Sequence, residues 1–147
     1  MMTPPLSDTI LVVEDDAEQR ELLVEYLEVK GFTVHESPNG ATALGLAETL
    51  RPRLILMDLV LPELDGLEAT RRLRANQHTR EATIIAMTAR ALATDREAAH
   101  RAGCNFFILK PYDLPTLANF VDGLMRHSEP RPQTAGRPPL NFAPQSR

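Results

Sequence analysis

Residues 9–16 read Thr-Ile-Leu-Val-Val-Glu-Asp-Asp, an unbroken apolar run that ends abruptly in three acids. A strand with one wet face alternates apolar and polar residues. A run without polar residues belongs to a strand covered on both faces, as in the middle of a parallel sheet. The design recurs downstream: Leu54-Ile-Leu-Met57 runs into Asp58, Thr83-Ile-Ile-Ala-Met87 into Thr88-Ala89-Arg90, and residues 105–109 into Lys110-Pro111. Residues 32–36 supply one more strand.

Helical patterns fill the intervals. Residues 17–30 place Leu22, Leu23, Tyr26 and Leu27 on one side and stop at Gly31, a glycine terminator. Residues 39–50 form a second helix, ended before Pro52. A loop from Pro62 to Gly66 leads into a third helix that runs to about Asn76. Thr94 and Glu97 have capping-box spacing, so a fourth helix starts there and stops at Gly103. Leu114, Leu117, Ala118, Val121, Leu124 and Met125 recur at helical spacing and mark the fifth. Five strands alternating with five helices predict an α/β fold with a parallel sheet between helical layers. Sites in such folds gather at the carboxyl ends of the strands.

Composition narrows the function. The 147 residues hold one ordinary domain, and a hydrophobic content of 43% is enough for a real core. A formal charge of −4 argues against a nucleic-acid-binding surface and against attraction to a membrane. A single cysteine, Cys104, excludes an internal disulfide framework and suits a reducing compartment. No apolar run reaches the roughly 18 residues of a bilayer span, and residues 1–8 lack the features of a signal peptide. The expected location is the cytoplasm.

The polar residues of interest all sit where an apolar strand ends: Glu14, Asp15 and Asp16 after the first, Asp58 after the third, Thr88 after the fourth, Lys110 after the fifth. Each has an ordinary explanation alone. An acid after a strand is commonly a helix cap, and a lysine before proline is commonly solvated. Those explanations do not account for acids, a hydroxyl and an amine on one rim of one sheet. Crowded carboxylates repel unless a proton or cation relieves them. Hard oxygen ligands in an open cleft suit Mg²⁺, with a lysine and a threonine left to hold phosphoryl oxygens. A carboxylate nucleophile then yields an aspartyl phosphate. Asp58, following the central strand, is best placed to attack, while Glu14 and Asp15 form the natural metal-holding pair.

The segments Ile10-Leu-Val-Val-Glu-Asp-Asp16, Leu54-Ile-Leu-Met-Asp58, Leu61-Pro-Glu-Leu-Asp-Gly66, Met87-Thr-Ala89 and Leu109-Lys-Pro111 together resemble the motif set of response-regulator receiver domains over residues 8–127. The resemblance implies a doubly wound, flavodoxin-like sheet of order 2-1-3-4-5. It implies that Asp58 is phosphorylated by a sensor histidine kinase or a histidine phosphotransfer protein, in a signalling switch rather than a metabolic enzyme. Asp15, Asp58 and the Val60 carbonyl would ligate Mg²⁺, Glu14 would act through water, Lys110 would pair with the phosphoryl oxygens, and Thr88 would turn to reach them. The bond before Pro111 would be cis. Phe107 matches the family's switch aromatic, often tyrosine, without the hydroxyl; its ordinary alternative is a core strand residue. Val60 and Arg90 would influence the lifetime of the phosphoryl group.

Two rival readings fare poorly. An aspartyl phosphatase of similar fold needs a second acid two residues after the nucleophile, where this chain has Val60. A flavin carrier needs a hydroxyl- and glycine-rich loop after the first strand, where Glu14-Asp15-Asp16 would repel phosphate. The scattered His35, His78, His100 and His127 read as surface residues, and Arg71, Arg72 and Arg74 as a solvated helix face. Residues 128–147, with five prolines, read as a disordered tail too short to fold alone. A single-domain regulator is expected, with a receiver excised from a longer chain as the alternative; it would act on a downstream protein through its fourth helix, fifth strand and fifth helix, as a monomer or a weak homodimer through that face. Phe106 is expected to add apolar contact area there.

Overall fold

The computed structural model describes residues 8–90, 92–126 and 140–142. Its elements are β1 (Thr9–Val13), α1 (Ala17–Val29), β2 (Thr33–Ser37), α2 (Gly40–Leu50), β3 (Leu54–Asp58), α3 (Gly66–Ala75), β4 (Thr83–Thr88), α4 (Ala93–Ala102), β5 (Phe106–Leu109), α5 (Leu114–Arg126) and β6 (Leu140–Phe142). The sheet is parallel, in the order β2-β1-β3-β4-β5-β6. The expected order 2-1-3-4-5 is present, and the sixth strand is an addition. It comes from the tail expected to be disordered; the rest of that tail, with His127, lies outside the described residues.

Successive strand residues point to opposite faces, so the unbroken apolar runs feed two cores. Ile10, Val12, Leu54, Leu56, Ile85, Met87, Phe106 and Ile108 pack beneath α1 and α5, on Leu23, Leu27, Leu117 and Val121. Leu11, Val13, Ile55, Met57, Ile84, Ala86 and Phe107 pack on small residues of the other helices, among them Ala43, Ala47, Ala69 and Ala99. Burying each such side chain contributes about 1.5–3 kcal/mol.

Local chemistry fixes the helix starts. Asp16, Asn39 and Asp65 each accept a hydrogen bond from the backbone N–H three residues on, at 2.8–3.0 Å, and so cap α1, α2 and α3. Two expectations need correction. α4 begins at Ala93 after Leu92, which offers no side-chain cap, and Thr94 lies inside the first turn. In α1 the buried stripe is Leu23, Val24 and Leu27, while Leu22 and Tyr26 are 42% and 38% exposed.

Candidate functional site

Strand register brings the polar residues together. Val13 pairs with Met57, so Glu14 follows beside Asp58. Asp58 pairs with Met87, and Thr88 with Leu109. The Lys110 N–H then donates to the Thr88 carbonyl at 2.7 Å, which extends the ladder by one residue. Lys110 thus starts two strands away from Asp58, and its long stem crosses β4. Its ammonium donates to Asp58 Oδ2 at 2.9 Å and to Glu14 Oε1 at 2.7 Å. A compact charge on a flexible stem suits that reach.

The other oxygen of each carboxylate accepts a backbone hydrogen bond. The Val60 N–H donates to Asp58 Oδ1 at 2.9 Å, and the Asp16 N–H to Glu14 Oε2 at 3.1 Å. Asp58 and Glu14 are buried, whereas Asp15 is exposed. Glu14, Asp15 and Asp58 each present a carboxylate oxygen within 4.8 Å of the others. Such a set fits one hard divalent cation from its solvent side. The Lys110-Pro111 bond is cis, as expected.

Gly66 holds the loop after β3 against this site. Its N–H donates to the Leu59 carbonyl at 3.1 Å. A Cβ there would lie 2.4 Å from the Asp58 carbonyl oxygen and 2.7 Å from Leu59 Cα. Only glycine lets α3 start this close to the backbone that carries Asp58.

Residues 10–122 match the family model described as response regulator receiver domain. The chain belongs to that family.

As a receiver domain it has relatives of several kinds. It is 38% identical over 107 residues to the polar-differentiation response regulator DivK of Brucella anthropi, covering 73% of this chain and 87% of DivK. It is 36% identical over 124 residues to the transcriptional regulatory protein SrrA of Staphylococcus aureus; this covers 84% of the chain but 50% of that longer relative. Among solved structures, the receiver domain of the sensor histidine kinase PA1611 from Pseudomonas aeruginosa superposes with a TM-score of 0.73 at 37% identity, over 82% of this chain and 98% of that one. That structure has a magnesium ion coordinated in its active-site cleft. The acidic pocket of Glu14, Asp15 and Asp58 here is consistent with a receiver phosphorylation site.

Electrostatics in this receiver cleft are tightly balanced. Burial pushes the Glu14 carboxyl up from 4.5 to about 7; the Lys110 hydrogen bond opposes this, and Asp58 adds to it. Burial by itself would lower the Lys110 ammonium, but hydrogen bonds to Asp58 and Glu14 outweigh it and raise the ammonium above its ordinary value. Tyr112, beside the cleft, is pushed up to about 12, chiefly by burial, and so keeps its phenolic proton.

Of the residues singled out in the sequence, Glu14, Asp15, Asp58 and Lys110 converge. Thr88 lies at the rim, lining a cleft with Val60, Asp65, Arg90 and Asp95. Its hydroxyl accepts the Arg90 N–H at 3.2 Å. Val60 meets Asp58 through its N–H. Phe107 is buried in the core with its ring 5.9 Å from the Arg96 guanidinium carbon. Asp16, the third acid, is a helix cap.

Phe106 requires correction: it is only 7% exposed and packs edge-on against Phe120 of α5, with centroids 5.2 Å apart, so it is core and offers no partner surface. Arg74 requires another. While Arg71 and Arg72 are exposed and paired with Glu68, Arg74 is turned inward. It donates to the carbonyls of Gly103, Arg80 and Ala82 and to Asn105 Oδ1, at 2.6–2.9 Å, and ties α3 to the loops before β4 and β5. Sequence reasoning missed this clamp because nothing in the sequence distinguishes a half-buried arginine from its two exposed neighbours. It also missed the Arg20 guanidinium, which donates to the Glu14 carbonyl at 2.8 Å and pairs with Glu36.

Proposed function

We propose that this receiver domain is switched by phosphorylation of Asp58, with the phosphoryl group taken from a phosphohistidine on a sensor histidine kinase or histidine phosphotransfer protein. The observation that carries the proposal is Lys110 Nζ, held 2.9 Å from Asp58 and 2.7 Å from Glu14 beside the open acidic pocket. An Asp58 carboxylate oxygen attacks phosphorus, the bond from phosphorus to the histidine nitrogen breaks, and the imidazole leaves and takes a proton. Asp15, Asp58 and the Val60 carbonyl would hold Mg²⁺, with Glu14 acting through water, and the ion would supply positive charge to offset that on the phosphoryl oxygens. Lys110 exchanges one carboxylate partner for a phosphoryl oxygen. Tight pairing keeps it charged for that role.

Signal output follows from rearrangement above the site. The Thr88 hydroxyl leaves the Arg90 amide for the phosphoryl group, and the core beside it, where Phe107 is buried, repacks. Hydrogen bonds to charged groups supply about 1.5–3 kcal/mol each. Inverting a two-state population from 1:99 to 99:1 takes about 5.5 kcal/mol. Contacts from Thr88 and Lys110 therefore give a partial shift, which a downstream protein completes by binding the phosphorylated form through α4, β5 and α5. No helix among the described residues is long and apolar enough to cross a membrane, in keeping with action in the cytoplasm.

Backbone amide spectra test this. Acetyl phosphate with Mg²⁺ is expected to move the resonances of Thr88, Phe107 and α4 in the wild type and to leave those of Asp58→Asn unmoved. Identical shifts in both proteins would overturn the assignment.

A further inference from the structure

The two edges of the sheet are finished differently. β2, at one edge, carries Thr33, His35 and Glu36, and Glu36 is exposed and paired with Arg20. Such polar, charged residues discourage another strand from adding. β5 reads Phe-Phe-Ile-Leu, with neither charge nor proline. A bare edge of this kind invites strand addition. In this chain it is covered: Phe106 pairs with Leu140, Phe107 with Asn141 and Ile108 with Phe142, all in parallel. α5 lies between β5 and β6 along the chain, as the connection between parallel neighbours requires.

We infer that Leu140–Phe142 is a built-in, displaceable cover for the β5 edge, a strand from the chain's own tail seated on the face through which the domain signals. The inference rests on the reading of α4, β5 and α5 as the output face. The sequence confines the cover. Pro138 and Pro139 precede it and Pro144 follows it, and prolines lack the N–H that a longer ladder would need. Three residue pairs make a weak closure, suited to opening. The pairing includes Phe107, so the strand that carries the switch aromatic also holds the tail. A partner or a second copy that adds to β5 must first displace residues 140–142.

Amide hydrogen exchange on the full-length chain tests this without any phosphodonor. The comparison is between wild type and the double variant Leu140→Pro/Phe142→Pro, with Asn141→Pro as a second variant and β1 as the internal control. Amides of residues 106–109 that point away from β4 are expected to exchange about fivefold faster or more in both variants, while β1 is unchanged. A synthetic peptide of residues 138–147 then probes the opened edge. Tethering gives an effective concentration of order 1 mM, so fivefold closure corresponds to a Kd of order 0.2 mM for the free peptide. The peptide at several millimolar should restore slow exchange in the variants. Equal β5 exchange in wild type and variants overturns the cover, and failure of the peptide to restore protection overturns the edge as a strand acceptor. Either failure would leave Asp58 as the phosphorylation site, and failure of Asp58 to react would leave these exchange results standing.

Discussion

Titration of Glu14 offers a sharp check on the electrostatics of the cleft. Its carboxyl is 1% exposed, accepts Lys110 Nζ at 2.7 Å and the Asp16 N–H at 3.1 Å, and is raised from 4.5 to about 7 with burial as the largest cause. Between those two values the folded protein holds a proton that the unfolded chain has lost, so stability falls as pH rises through the window. The contribution is complete below about 4.5 and gone above about 7. At 1.36 kcal/mol per pH unit, the interval is worth about 3 kcal/mol. For a chain of this size that is about 10 °C in Tm. Glu68 and Asp113, held below their ordinary range by hydrogen bonds, lose their stabilising effect at lower pH and outside this window. Thermal unfolding of wild type and Glu14→Gln from pH 5 to pH 8 separates the effect, since glutamine has no proton to lose. The wild type should lose about 10 °C relative to the variant over that range. Added Mg²⁺ should restore more of the loss at pH 8 than at pH 5, because cation and proton compete for the same carboxylates. Parallel curves for the two proteins would refute the argument.

Three further predictions concern the frame of the fold, each read by urea denaturation. Gly66→Ala should cost about 1–3 kcal/mol or more, because the added Cβ meets backbone atoms of Asp58 and Leu59 that cannot yield. Gly123→Ala in α5, where nothing lies within 4 Å, should instead gain about 0.5–1 kcal/mol. Arg74→Met should cost about 2–4 kcal/mol, since the carbonyls of Gly103, Arg80 and Ala82 and the Asn105 side chain lose their shared donor.

The strands and the convergent rim were legible because strands buried on both faces cannot hide polar residues, so the first acid, hydroxyl or amine marks the point where the sheet opens. Asp58 and Lys110 are 52 positions apart, yet both announce themselves as the residue after such a run. Legibility failed wherever two solutions share one local pattern. In α1, Leu22-Tyr26 and Leu23-Leu27 are equally regular stripes, and only packing on β1 and α5 selects the second. Thr94 and Glu97 have the spacing of a cap, but α4 starts at Ala93 with Leu92 at the cap position. Arg74 differs from Arg71 and Arg72 only in facing carbonyl groups of two loops, a tertiary fact. Phe106 and Phe107 are neighbours that feed opposite cores, and both faces prove to be covered. Leu140–Phe142 carries too little apolar sequence to stand out among prolines; its strand geometry depends on β5 offering an edge.

The most direct test is the intact mass of the full-length protein after incubation with acetyl phosphate, with Mg²⁺ or with a chelator, in wild type and Asp58→Asn. The account predicts a gain of one phosphoryl group in the wild type with Mg²⁺ and none in the other three samples. A gain of the same size in Asp58→Asn, or one in wild type that is indifferent to the chelator, would contradict it.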